Sequence, residues 1–212
     1  MSKPVLYSYF RSSCSWRVRI ALALKGIEYE YKAVNLLKGE QKGEAYKQVN
    51  PQGGVPALVI NDHCLSQSIS IIEYLDEVYP DPPLLPKNNP IKRADVRRLS
   101  LLIAADIQPI QNLKVLKFVG DERKMEFGHW VIDTGFQALE KSLVETAGKY
   151  CYGDELTMVD ICLVPQVFNA NRFKVDMNQY PTISRIHDEL VKLDAFKAAH
   201  FSQQPDCPED LK

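Results

Sequence analysis

The chain has 212 residues, enough for one or two domains, and is 45% hydrophobic and 25% charged, a composition that supports a packed core and argues against extensive disorder. Its formal net charge is −1, with both signs interspersed, which gives no electrostatic reason to expect nucleic acid or an anionic membrane as partner. Its five cysteines (Cys14, Cys64, Cys151, Cys162, Cys207) are scattered and form no C-x-x-C pair, a pattern of free thiols in a reducing compartment. The four histidines have no ligand spacing, so no metal site is expected. The first sixteen residues lack the apolar run of a signal peptide, and no stretch reaches the ~18 apolar residues of a membrane span. The closing Pro208–Lys212 is neither a lipidation box nor an organelle address, so the expected location is the cytoplasm.

In chain order, Val5–Tyr9 reads as a strand that stops at Arg11-Ser12-Ser13. Ser13 or Ser15 can cap a helix running to Lys25, with Gly26 in the C′ position. Trp16, Ile20 and Leu24 fall at i, i+4, i+8 and predict one apolar stripe. Tyr29–Val34 reads as a second strand, completing a crossover unit. A weak helix at Glu44–Val49 precedes the turn cluster Asn50–Gly54. Strands at Ala57–Ile60 and Cys64–Leu65 are joined by Asn61-Asp62, and a helix from Ser68 to Val78 closes this half. The order βαβ, α, ββα defines an α/β thioredoxin-like domain over residues 1–81.

Prolines at 80, 82, 83, 86 and 90 interrupt any helix or central strand and mark a linker over 82–90. From Ile91 to residue 212 the periodicity is helical, beginning with one long helix, Ile91–Phe118, that carries Leu99, Leu102, Ile103, Ile107 and Ile110. The second half is therefore read as an all-α domain. Thr157-Met158-Val159-Asp160 is a capping-box pattern with Asp in place of Glu, ahead of the apolar run Ile161–Val167, and assigns Asp160 to folding. Cys151 and Cys162 read as small core residues, and Trp130 and Phe136 as packing.

The chemistry-bearing residues cluster in the first half. Ser12-Ser13-Cys14 stands where a strand gives way to a helix, so unpaired backbone N–H groups and the positive dipole end favour an anion there. A hydroxyl at that place can donate to a thiolate, or merely cap the helix. Cys14 is either an inert thiol or a nucleophile with lowered pKa. Val55-Pro56 precedes a strand, and Gln67-Ser68 opens a helix where Ser68 is a natural N-cap able to receive a carboxylate. Each signal is weak alone; order and spacing make them specific.

The run from Ser12 to Leu22 (SSCSWRVRIAL) resembles the signature of zeta-class glutathione transferases. The resemblance extends through Val55-Pro56-Ala57-Leu58, Gln67-Ser68, Ile107-Gln108-Pro109, Gln111-Asn112-Leu113, Gly153-Asp154-Glu155, Thr157-Met158 and Asn171–Asp176. It implies the glutathione transferase fold, glutathione as cofactor and a homodimer. The implied activity is glutathione-dependent cis–trans isomerisation of maleylacetoacetate to fumarylacetoacetate in phenylalanine and tyrosine catabolism, with side activity on α-haloacids. It further implies that Ser12 stabilises the glutathione thiolate, and that Ser13 and Cys14 complete its pocket with Ser15, Trp16 and Arg17 alongside. Val55, before a cis Pro56, would pair its backbone with the cysteinyl part; Gln67 and Ser68 would hold the γ-glutamyl carboxylate. Gln108, Asn112, Leu113 and Lys114 would line the glutathione site from the helical domain. Arg172, assisted by Arg17, would take a substrate carboxylate.

Three departures from the family pattern bear on these roles. The segment Gly39–Ala45 is short, which affects Gln41 as a glutathione contact. Gly53-Gly54 replaces bulkier residues and is expected to loosen the loop before Val55, and Lys114 stands where a small polar residue is usual. The competing readings are a general glutathione-conjugating transferase, a non-catalytic transferase-like binding module, and a glutaredoxin-like oxidoreductase. The last would want a cysteine where Ser12 stands.

Overall fold

The computed structural model describes residues 3–212. The chain divides into two compact units, Met1–Pro82 together with Asp194–Lys212, and Pro83–Leu193.

The first unit is built on a four-stranded sheet of order β2-β1-β3-β4, from β1 (Val5–Ser8), β2 (Glu30–Ala33), β3 (Ala57–Ile60) and β4 (His63–Ser66). β1 and β2 run parallel, with Leu6 opposite Tyr31, because helix α1 (Ser13–Leu24) supplies the crossover. β3 returns antiparallel to β1, with Leu58 opposite Leu6, and these two leucines are fully buried. Asn61 and Asp62 both take positive φ (48° and 61°), the geometry of a two-residue hairpin turn whose twist matches the strands it joins.

Two short helices complete the expected order, α2 (Glu44–Val49) and α3 (Ser68–Val78). The single apolar stripe expected on α1 is corrected: every residue from Trp16 to Leu22 is buried. The reason is that α3 packs on one side and a helix from the end of the chain, α9 (Asp194–Ala199), packs on another. Asp194–Lys212, read from the sequence as part of the helical half, is helical and clusters with the N-terminal unit. Lys25, at the end of α1, donates to Asp76 on α3 at 2.7 Å and to the Pro82 carbonyl at 2.6 Å. The Lys25 side chain is fully buried, so removing Asp76 would take away the carboxylate that balances its charge.

The second unit holds α4 (Pro90–Leu101), α5 (Leu113–Val119), α6 (Lys124–Thr146), α7 (Met158–Arg172) and α8 (Pro181–Leu190). Pro90 is the first residue of α4, where its missing N–H costs nothing, and Asn89 caps the helix by accepting the Lys92 N–H. The proline-rich stretch is no loose tether: Leu84 is fully buried and its carbonyl accepts the Met158 N–H at 2.9 Å. The long helix expected over Ile91–Phe118 is interrupted. It runs through a π-helical turn, Leu102–Ile107, before Pro109, and restarts as α5 with Asn112 as cap. A Cβ on Gly135 would lie 2.3 Å from Ile107, so glycine lets α6 approach this turn.

Asp160 is fully buried and accepts the Thr157 N–H (2.8 Å), the Thr157 hydroxyl (2.9 Å) and the Cys151 N–H (2.9 Å). These bonds give it the folding role its sequence pattern predicted. Cys151, Cys162 and Phe136 lie in the core; Trp130, expected to pack, is instead 61% exposed. Among the described residues no helix is long and apolar enough to cross a membrane, and no cluster of His, Cys, Asp or Glu could hold a metal ion.

Candidate functional site

The N-terminus of α1 begins with Ser12, not with Ser13 or Ser15. Ser12 has extended backbone (φ −71°, ψ 114°) and its Oγ accepts the Ser15 N–H at 3.2 Å. Capping uses a lone pair of the hydroxyl, so its proton can be donated to another acceptor. Ser13 is buried and Cys14 half-buried, side by side in the first turn. Ser15 and Trp16 were expected beside glutathione; both are buried, Ser15 fully, and Trp16 packs edge-on against His200 at 5.1 Å.

Arg17 is 1% exposed and reaches across to the first turn of α3, where its Nη1 donates to Ser68 Oγ at 3.3 Å. Its Nε and Nη2 are buried with no hydrogen-bond partner among the described residues. A guanidinium in this state offers two unfilled donors to an anion. Ser68 was expected to cap α3, but the cap is Gln67, which contributes no side-chain hydrogen bond to the helix. The first amides of α3 thus keep their capacity to bind an acceptor. Gln67 holds φ 69°, uncommon for a residue with a side chain, and its Nε2 donates to Gln52 Oε1 at 2.9 Å.

Val55 precedes a cis Pro56 and leads directly into β3; a second cis bond, Asp81–Pro82, had no counterpart in the sequence reading. Val55 packs against the cluster of Tyr9, Phe10 and Cys207. The loosening expected from Gly53-Gly54 does not occur. Gly53 has φ 64°, and a Cβ there would lie 2.9 Å from the Gln41 carbonyl oxygen, so the glycine allows the short 39–45 segment to close onto this loop. Tyr46 and Asn50 both donate to the Gly54 carbonyl, at 2.6 and 2.8 Å. Gln41 itself donates weakly to Leu36 O at 3.5 Å, and its Oε1 is buried without a partner among the described residues.

In the helical unit Gln108 is buried at the end of the π-helical turn, against which α7 packs. Asn112 accepts the Leu113 N–H at 2.7 Å as cap of α5, which places Leu113 and the exposed Lys114 in its first turn. Arg172 ends α7, is exposed, and lies with its guanidinium 5.3 Å from the centre of the Phe173 ring. The N-terminal unit thus brings together Ser12, Ser13 and Cys14 at one helix end, and Arg17, Gln67 and Ser68 at another.

Models of the glutathione S-transferase N-terminal and C-terminal domains match residues 3–77 and 108–199. The chain belongs to the glutathione S-transferase family. Within that family it is similar to maleylacetoacetate isomerases and to a glutathione S-transferase Z1 of Arabidopsis thaliana, the latter at 47% identity over 97% of this chain and 95% of that protein. It is 58% identical to maleylacetoacetate isomerase of Mus musculus, over 99% of this chain and 98% of the mouse protein. A structure of maleyl pyruvate isomerase, a bacterial zeta-class transferase, superposes with a TM-score of 0.92 at 42% identity, covering 96% of this chain and 100% of that one. Maleylacetoacetate isomerase of Anaeromyxobacter dehalogenans, with bound dicarboxyethyl glutathione and citrate in the active site, superposes with a TM-score of 0.89 at 41% identity, covering 98% and 94%.

Proposed function

We propose that this protein is a zeta-class, glutathione-dependent isomerase that converts maleylacetoacetate to fumarylacetoacetate in phenylalanine and tyrosine catabolism. The observation that carries the reading is the pair of helix ends in the N-terminal unit: a hydroxyl with a proton to donate at one, and a buried arginine with unfilled donors at the other. They fit a tripeptide that presents a thiol and carboxylates. Ser12, Ser13 and Cys14 would hold the thiol end, the Val55 backbone the cysteinyl part, and Gln67, Ser68 and Arg17 the γ-glutamyl carboxylate. When bound, glutathione supplies a sulfur nucleophile that adds reversibly to the conjugated cis double bond, which frees that bond to rotate.

Ser12 and the α1 terminus suffice to ionise the thiol. A free thiol has a pKa of about 8.5, and lowering it by about two units needs roughly 2.7 kcal/mol. A hydroxyl hydrogen bond to an anion contributes about 1.5–3 kcal/mol and the helix end about 0.5–1. Arg172 is the residue proposed to bind the substrate carboxylate, since its planar fork matches a carboxylate better than a lysine would. Gln108 and Asn112 are proposed to line the site with it.

The proposal includes a cytoplasmic location and a homodimer formed through the helical unit. That unit exposes Ile91, Phe118, Trp130 and Val144, at 77%, 92%, 61% and 68%, apolar surface of the kind obligate interfaces cover. Light scattering should return about twice the 24.1 kDa of one chain. The deciding experiment is a coupled isomerase assay with and without glutathione, beside dichloroacetate turnover. Isomerisation that requires glutathione without consuming it is expected. Conjugation or haloacid turnover without isomerisation would overturn the reading.

A further inference from the structure

The final stretch of the chain, Asp194–Lys212, folds with the N-terminal unit, and the chemistry proposed above gives it no task. Two kinds of contact tie it to the turn that carries Ser12. The first is apolar: Cys207 is buried with Tyr9 and Phe10, and Phe201, Leu36 and Val55 pack against them. The second is polar and centres on the backbone of one residue, Phe10. The Phe10 N–H donates to Asp206 Oδ2 at 3.0 Å, and the Phe10 carbonyl accepts from Arg19 Nη2 at 3.0 Å.

The neighbouring groups are fixed by the same pair. Arg19 Nη1 donates to the Tyr9 carbonyl at 3.3 Å, which also accepts the Ser12 N–H at 2.9 Å and so closes the turn. Arg19 Nε donates to Ala199 O at 3.1 Å, so the guanidinium is itself held by the returning segment. The Tyr31 hydroxyl donates to Asp206 Oδ1 at 2.5 Å and orients the carboxylate against β2. Tyr31 titrates above its ordinary range, first because it is buried and then because of this bond, so it remains a donor at neutral pH.

We propose that Asp206 is a positioning residue for the thiol-activating hydroxyl. It and Arg19 hold the Phe10 backbone at its N–H and at its carbonyl, and through the Tyr9–Ser12 turn they set where Ser12 Oγ stands. Apolar packing alone would hold the chain end in place. A carboxylate on a backbone N–H adds a directional constraint two residues from Ser12. Displacements of ~1 Å at a reacting group can cost up to ~100-fold in rate, so this constraint bears on turnover. The inference rests on the role proposed for Ser12.

The test compares wild type with Ser12→Ala, Asp206→Ala, Asp206→Asn, Tyr31→Phe and the Ser12→Ala/Asp206→Ala double variant. The readouts are bound-thiolate absorbance against pH, kcat and KM for glutathione, and melting temperature. Asp206→Ala should raise the bound-thiol pKa by about half a unit or more, and lower kcat roughly tenfold. Asp206→Asn should recover most of the effect, because its oxygen still accepts from Phe10 while its amide donates to Tyr31. The double variant should titrate like Ser12→Ala alone, as expected when one residue acts through the other. If Asp206→Ala fails to fold, Tyr31→Phe carries the test and should give a smaller shift of the same sign. A lowered melting temperature with wild-type titration and kcat, or additive shifts in the double variant, would overturn the inference. An unchanged titration in Ser12→Ala would overturn the Ser12 role and this inference together. A shifted Ser12→Ala beside unshifted Asp206 and Tyr31 variants would overturn this inference alone.

Discussion

Arg17 and Arg19 stand two places apart on α1 and each is 1% exposed, yet their surroundings are opposite. Arg19 is satisfied from within, donating to Ala199 O, Ser8 Oγ, Tyr9 O and Phe10 O at 3.0–3.3 Å. Burial pulls its pKa down to about 10, which leaves it charged at neutral pH. Arg17 has the one bond to Ser68, with Nε and Nη2 unfilled among the described residues. A buried charge does not by itself distinguish a structural arginine from a ligand-binding one; how many of its donors the fold already uses does.

The largest effect should come from Arg19→Ala, which strands several buried carbonyls at once and should cost roughly 3–5 kcal/mol of stability. Arg19→Lys should recover little, because an ammonium cannot span the same acceptors. Denaturant midpoints would show it; a wild-type midpoint for Arg19→Ala would break the contrast. Arg17→Ala comes next. Glutathione should bind about 10–100-fold more weakly, equivalent to about 1.4–2.8 kcal/mol, while the unfolding midpoint moves less than for Arg19→Ala. If Arg17→Ala unfolds as readily as Arg19→Ala and binds glutathione normally, the two arginines do the same job.

The smallest effect concerns His200, whose pKa is lowered from 6.5 by burial first and by the Arg19 charge second. The unfolded chain then binds a proton that the folded one resists. This contribution to stability is therefore present above pH 6.5 and is lost as pH falls from there toward the folded-state value. His200→Phe keeps a ring against Trp16 and should flatten that part of the stability–pH profile. A slope identical to wild type would remove His200 from the Arg19 side of the comparison.

Much of the first unit was legible because its signals are local. Asn61-Asp62 between two apolar runs specifies a hairpin, and the extent of α3 was readable although its cap was placed one residue late. The cap of α1 was not readable, because serines at 12, 13 and 15 offer the same chemistry and only the strand exit angle decides among them. The break at 102–112 was read through despite Pro109, and the π-helical turn before it depends on Gly135 admitting Ile107. Of the candidate site, the placing of Ser12–Cys14 and of Gln67–Ser68 at helix starts was visible. The Arg17–Ser68 bond and the hold of Asp206 on Phe10 were not, since they join residues 51 and 196 positions apart. No periodicity encodes such contacts. A possible signal was the cluster Pro205-Asp206-Cys207-Pro208, which is unlike the helical pattern before it.

The return of Asp194–Lys212 to the first unit also sets an order of events during synthesis. Residues 83–193 form an uninterrupted unit, whereas the sheet-bearing unit lacks α9, one of the two helices packed on α1, until Asp194–Lys212 are made. For that interval Arg19 has no Ala199 carbonyl and Phe10 no Asp206 carboxylate. The sheet, translated first, is thus completed only after the helical unit has been made, and a chain stalled before Asp194 would leave the Ser12 turn without these two contacts.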